Sequence, residues 1–179
     1  MTVFRPLLPA ESGRYAAHLL RLSAADRRAR FMGGLSDASV CAHVDRIDWS
    51  RSIILAALCG GEVRGAVELR IAGSGAELAI SIEADWQNQG LGGVLVRRAF
   101  TMARNRGIRG IELYCLGDNH RMLRIAGRLS ALIRFDGGEV QCDFQLPAAD
   151  AFSLTLEAMD RGGTALSMML EPGSLPRAA

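Results

Sequence analysis

The feature that most constrains this chain is a change of hydrophobic period near residue 90. From Ser52 to Ile82 the apolar residues follow strand spacing. Ser52 to Leu58 is a continuous apolar run, Val67, Leu69 and Ile71 share one face, and Leu78, Ile80 and Ile82 alternate. Gly60-Gly61 and Gly73-Ser74-Gly75 join these segments as turns, which predicts an antiparallel meander of three strands. After Gly92 the spacing becomes helical, with Leu91, Leu95, Ala99 and Met102 on one face. Arg104, Arg106 and Gly107 then stop the helix, the cations at its negative end and the glycine in a left-handed cap.

The flanking segments extend the pattern. Val3 to Leu7 reads as an opening strand, and Pro9 suits the first turn of a helix through Tyr15, Leu19 and Leu22. Ser23 and Ser36 are candidate caps for two further short helices separated by Gly33-Gly34. Beyond the long helix, Ile108 to Cys115 is a strand, Asp118 is placed to cap a helix to about Leu129, and Ile133–Phe135 with Val140–Leu146 forms a hairpin. The fold class expected is α/β (α+β): a mixed, mostly antiparallel sheet of about six or seven strands flanked by helices. Residues 1–147 form one domain; 148–179 are read as an extension, a short helix over Ala151–Met159 followed by a mobile tail.

Composition removes several function classes. All 21 basic residues are arginine, so a Walker phosphate loop and Schiff-base chemistry, both of which need lysine, are ruled out. The formal charge is only +2 and the arginines are spread along the chain, which argues against nucleic acid as a partner. The longest apolar run, Ile53 to Cys59, is far short of the ~20 residues a spanning helix needs, and the N-terminus carries no export signal, which predicts a cytoplasmic protein without a membrane partner. Cys41, Cys59, Cys115 and Cys142 form no CxxC pair and have no histidine at ligand spacing, so no metal site is expected and the thiols are read as buried and reduced.

The segment that carries chemistry is Gln87-Asn88-Gln89-Gly90-Leu91-Gly92-Gly93, between a strand and an amphipathic helix. Glycines let backbone approach a ligand, and a helix start offers unpaired N–H groups to phosphate oxygens. A dinucleotide fingerprint fails, because Leu95 stands where its third glycine belongs. The run resembles the Q/R-x-x-G-x-G/A loop of the GNAT superfamily of acyl-CoA-dependent N-acyltransferases, and the order of elements over residues 2–147 resembles that of the family. Gly117-Asp118-Asn119-His120-Arg121-Met122 resembles the family's N-x-x-M helix start. Phe4-Arg5-Pro6-Leu7-Leu8-Pro9 and Leu22-Ser23-Ala24-Ala25-Asp26 are similar to the acyltransferase domain of bacterial Pat-type protein lysine acetyltransferases.

The resemblance implies acetyl-CoA as co-substrate and an amine acceptor, a small molecule or a protein lysine, in a monomer or homodimer. It implies a binding set of Ile80, Ile82, Gln87, Asn88, Gln89, Gly90, Leu91, Gly92, Gly93, Asn119 and Met122, with an oxyanion-binding backbone N–H near Ile80–Ile82. Glu77, ten residues before Gln87, is the base candidate the resemblance implies, ahead of Glu83 and Asp85. The family's helix tyrosine is replaced by Ala126, which leaves Tyr114 and His120 as acid candidates. That departure, with Leu129-Ser130-Ala131 in place of Leu-Gly-Phe, keeps open a second reading: a domain that binds acyl-CoA as a sensor. His18 and His43 read as core or surface histidines, Cys115 as an inert thiol, and Asp26-Arg27-Arg28-Ala29-Arg30 as a solvated helix face.

Overall fold

The computed structural model describes residues 2–170, with side chains through Asp160. Seven strands form one sheet in the order β1-β2-β3-β4-β5-β7-β6. They are β1 (Thr2–Pro6), β2 (Ser52–Cys59), β3 (Glu62–Ala72), β4 (Gly75–Ile82), β5 (Gly110–Leu116), β6 (Leu132–Asp136) and β7 (Glu139–Gln145). The predicted meander is β2-β3-β4, and every pairing is antiparallel except β4 with β5. Helices α1 (Ser12–Leu20), α2 (Ala24–Phe31) and α3 (Asp37–Asp45) precede the meander; α4 (Leu91–Arg104), α5 (His120–Arg128) and α6 (Ala151–Leu170) follow it. No described helix is long and apolar enough to cross a membrane.

Two cores lie on the two faces of the sheet. Leu55, Ala57, Val67, Leu69 and Leu78 pack against Leu95, Val96, Ala99 and Met102 of α4 and Met122 of α5. Ile54, Ala56, Leu58 and Ala66 pack against Tyr15 and Leu19 of α1 and Val40 and Val44 of α3. Burial on both faces explains the unbroken apolar run of β2.

Local chemistry sets the helix starts. Ser23 and Ser36 accept from the backbone N–H groups of Asp26 and Ser39 at 3.1 and 3.2 Å, as their positions predict. Three boundaries differ from expectation. A 3-10 turn over Pro9–Glu11 precedes α1, and Leu22 lies beyond its end. Asn119, not Asp118, caps α5: its side chain accepts from Met122 N at 3.2 Å. Finally, α6 runs through Gly162-Gly163 to Leu170, whereas a short helix was expected. Asn105 donates to Ser153 O and to Glu157, Arg106 pairs with Glu157, and Arg98 pairs with Asp160. This anchoring outweighs the roughly 1 kcal/mol that each glycine costs a helix. The mobile tail expected over Pro172–Ala179 lies outside the described residues.

The pairing of β4 with β5 positions the site. Only Gly75, Ala76 and Glu77 pair with Gly110, Ile111 and Glu112. Beyond that rung the strands part, and the sheet opens.

Candidate active site

The opening between β4 and β5 is a cleft of about 540 Å³. A gap in a sheet lets residues from both of its faces border one cavity. Ile80 and Ile82 reach it from the α4 side, Ser81 from the other side, and Asp26, Ala29 and Arg30 of α2 close that side. Asn119, Met122, Ile125 and Leu129, in or flanking α5, form the opposite wall.

The glycine-rich loop forms the rim. Asn88 and Gly90 have φ of 59° and 80°, so the chain turns through the left-handed region twice before α4 begins. Gln87 fixes the turn: its Nε2 donates to Ile82 O at 2.9 Å and to Asp26 Oδ1 at 2.8 Å, while its Oε1 accepts from Arg121. The first intrahelical bond of α4 is Val94 N to Gly90 O, so the N–H groups of Leu91, Gly92 and Gly93 have no helical acceptor. A Cβ on Gly92 would stand 3.2 Å from Ile125 Cδ1 and 3.5 Å from Ile80 Cδ1, so the missing side chain keeps the cleft open at the helix start. Arg97, Arg121, Arg124 and Arg128 add positive charge along the wall. Unpaired donors, a helix N-terminus and guanidinium groups together suit an anion such as a pyrophosphate.

The structure therefore brings Ile80, Ile82, Gln87, Asn88, Gly90, Leu91, Gly92, Gly93, Asn119 and Met122 to one cavity. Gln89 stays outside, its amide donating to Asp85 O at 2.8 Å. The three expected catalytic side chains also lie outside the lining. Glu77 sits on the last paired rung, in a second groove with Glu112 and Arg134, and its carboxylate pairs with Arg70. Tyr114 is 43% exposed and donates to Glu112 Oε2 at 3.0 Å, a bond that raises its pKa and makes it a weaker acid. His120 is exposed at the start of α5. Cys115 is buried beside Cys142, and burial pushes its thiol up to about 12. Cys41, against expectation, is exposed, because it lies on the outer face of α3.

Beneath the α2 side of the cleft lies a polar layer whose members the sequence offered only one by one: Glu83 as a second base candidate, and His18 and His43 as core or surface histidines. Glu68 Oε2 accepts from Tyr15 Oη at 2.9 Å and Arg30 at 2.5 Å, and His43 Nε2 lies 3.0 Å away. Burial alone would raise the Glu68 pKa; the bond to His43 and the charge of Arg30 reverse this and hold it at about 2. His18, with no exposed surface, bridges Ser81 Oγ at 2.9 Å and Glu83 Oε1 at 3.0 Å. Burial pushes the His18 pKa down and keeps the ring neutral. Burial pushes Glu83 upward, but His18, Arg64 and Arg21 overcome it and set it at about 2. The basic run of α2 is a solvated face only in part: Arg28 is exposed, whereas the Arg30 side chain is buried on Glu68 and Arg27 bonds Leu20 O, Leu35 O and Asp37. One signal was available, since Tyr15 and His18 fall on the same helical face as Leu19.

The profile of the acetyltransferase (GNAT) family matches residues 21–130. An acetyltransferase of Pseudomonas aeruginosa is 34% identical over 116 residues, which cover 60% of this chain and 62% of that protein. The chain thus spans about three fifths of the length of this curated relative. Among solved structures, the GNAT domain of S. lividans PAT superposes with a TM-score of 0.69 at 24% identity, over 80% of this chain and 89% of that one. PaiA N-acetyltransferase of Thermoplasma acidophilum, in complex with coenzyme A, gives 0.64 at 16% identity, over 81% and 99%. YncA of Salmonella typhimurium, with acetyl-CoA, gives 0.61 at 16% identity, over 84% and 97%.

Proposed function

Because the chain belongs to the acetyltransferase (GNAT) family, we propose that it moves the acetyl group of acetyl-CoA to a primary amine by direct attack in a ternary complex. The amine is a small molecule or a protein lysine. The observation that carries this reading is the opening of the sheet past the Glu77–Glu112 rung, directly under the unpaired N-terminus of α4. The N–H groups of Leu91 to Gly93 and the wall arginines take the pyrophosphate. The gap between Ile80–Ile82 and α5 takes the pantetheine arm. A backbone N–H of that β4 stretch, on the side that β5 has left, stabilises the carbonyl oxygen as charge develops on it.

The amine attacks only when neutral, so its proton must be taken. Glu68 and Glu83, each held at about 2, are too acidic for that task. Glu77 shares the β4 face of Ala79 and Ser81, is 43% exposed and has Arg70 as its partner. It lies outside the cleft lining and three residues, about 10 Å, before Ile80, farther than one water spans, so the proton reaches it through a chain of waters. The thiolate leaving group needs no strong acid.

The test is thiol release from acetyl-CoA with a panel of amines and lysine peptides. Amine-dependent release is expected, with Glu77→Gln slowing it roughly 100-fold while acetyl-CoA affinity stays within about twofold. An unchanged rate in Glu77→Gln removes the base assignment. A sensor role is the second reading. It is favoured by the absence of Tyr114 and His120 from the cleft lining and by Ala126 at the family's tyrosine position. Turnover at an ordinary rate with any amine removes it.

A further inference from the structure

Ser81 near the end of β4 and Glu83, one residue past that end and still extended, lie two residues apart, and His18 of α1 bonds to both. Glu83 is ionised and can only accept, so the hydrogen on His18 is at Nδ1. Nε2 is then an acceptor, and the 2.9 Å contact is a bond donated by the Ser81 hydroxyl. Glu83 is itself fixed by Arg64 at 2.8 Å and Arg21 at 3.0 Å. A hydroxyl on a neutral imidazole, with a carboxylate orienting the imidazole, is the arrangement that activates a serine nucleophile. Ser81 is also the cleft-lining residue of β4 that faces the α2 side, between Ile80 and Ile82.

We propose a second, amine-independent activity: Ser81, activated by His18 and Glu83, accepts the acetyl group as an ester and the ester is hydrolysed, so that the cleft converts acetyl-CoA and water to acetate and CoA. Ser81 Oγ bonds to the thioester carbonyl carbon as its proton passes to His18 Nε2. The C–S bond breaks, and the CoA thiolate leaves with that proton. Water then attacks the ester carbonyl and gives a proton to His18 Nε2. The C–O bond to Ser81 breaks, and the proton returns to Oγ. Glu83 stays ionised and stabilises the imidazolium formed in each step. The activity rests on acetyl-CoA occupying the cleft as proposed above.

The sequence makes the test clean. Cleavage after arginine yields the fragment 71–97, whose hydroxyls are Ser74 and Ser81 and which has no Lys, Thr, Tyr or Cys. The full chain is incubated with acetyl-CoA in amine-free buffer, acid-quenched and mapped by mass spectrometry, and thiol release is followed in parallel. The expected result is one acetyl group on that fragment, retained in Ser74→Ala and lost in Ser81→Ala. Thiol release should fall roughly 100-fold in both Ser81→Ala and His18→Gln. Ser81→Ala removes one hydroxyl and keeps the assay interpretable if His18→Gln does not fold. An unmodified fragment together with release unchanged in Ser81→Ala, while calorimetry still shows acetyl-CoA bound, overturns this activity alone. Absence of binding overturns the acetyltransferase reading with it.

Discussion

Against α4 the sheet presents Leu55, Val67, Leu69 and Leu78, and the helix answers with Leu95, Val96, Ala99 and Met102. Against α1–α3 the same sheet presents Glu68, Ser81 and, just past the end of β4, Glu83 among its apolar residues, and the helices answer with Tyr15, His18, Arg30 and His43. The first face is held by transfer from water and close packing. The second also contains charges that are tolerable only because each has several partners. The difference falls where the cleft opens. The apolar face can be held rigid against α4 and α5, whereas the polar face places fixed dipoles and titratable groups beside the α2 side of the cleft.

Removing a member of the polar layer should therefore cost more than removing a large apolar side chain. Glu68→Ala leaves Arg30 buried without its carboxylate and is expected to destabilise by about 4 kcal/mol. Leu95→Ala, fully buried under α4, is expected to cost about 3 kcal/mol. Chemical denaturation of both variants checks the order. A Glu68→Ala cost under about 1 kcal/mol would mean that the polar layer is incidental to stability.

The same comparison predicts a stability that falls with acid and is owed to one face. Glu68 and Glu83 have folded pKa values of about 2, below the unfolded carboxylate range, so their contribution is present above about pH 4.5 and is lost as pH falls toward 2. His18 is lowered too, so below about pH 6.5 the unfolded chain binds a proton that the folded chain resists, and decline begins there. The Glu68 share is on the order of 3 kcal/mol. Melting temperatures from pH 7 to 3 should drop in the wild type and drop less in Glu68→Gln. Parallel curves would show that the acid sensitivity comes from elsewhere.

What the sequence made legible follows the same divide. The meander, α4 and its glycine-rich start are local patterns, and each is where periodicity placed it. The cleft residues near Gln87–Gly93 were legible because a loop and the helix it opens are contiguous in the chain. The polar layer was not, because Tyr15, His18, Glu68 and Glu83 become a unit only when α1 packs on β3 and β4. The rung at which β4 leaves β5 was equally invisible, and it decides that Glu77 faces a different groove from the loop. The length of α6 escaped for a third reason: its anchors, Asn105, Arg106 and Arg98, are contributed by α4 and the turn after it.

The central claim is that the opening under α4 is an acetyl-CoA site, and calorimetric titration of acetyl-CoA into the full chain and into Gly92→Glu tests it most directly. The account predicts one-site binding of micromolar strength in the wild type. Gly92→Glu should abolish it, because the new side chain meets Ile125 and Ile80 and sets a carboxylate where the pyrophosphate would lie. No heat in the wild type, or binding undiminished in a folded Gly92→Glu variant, would contradict the assignment of this cleft.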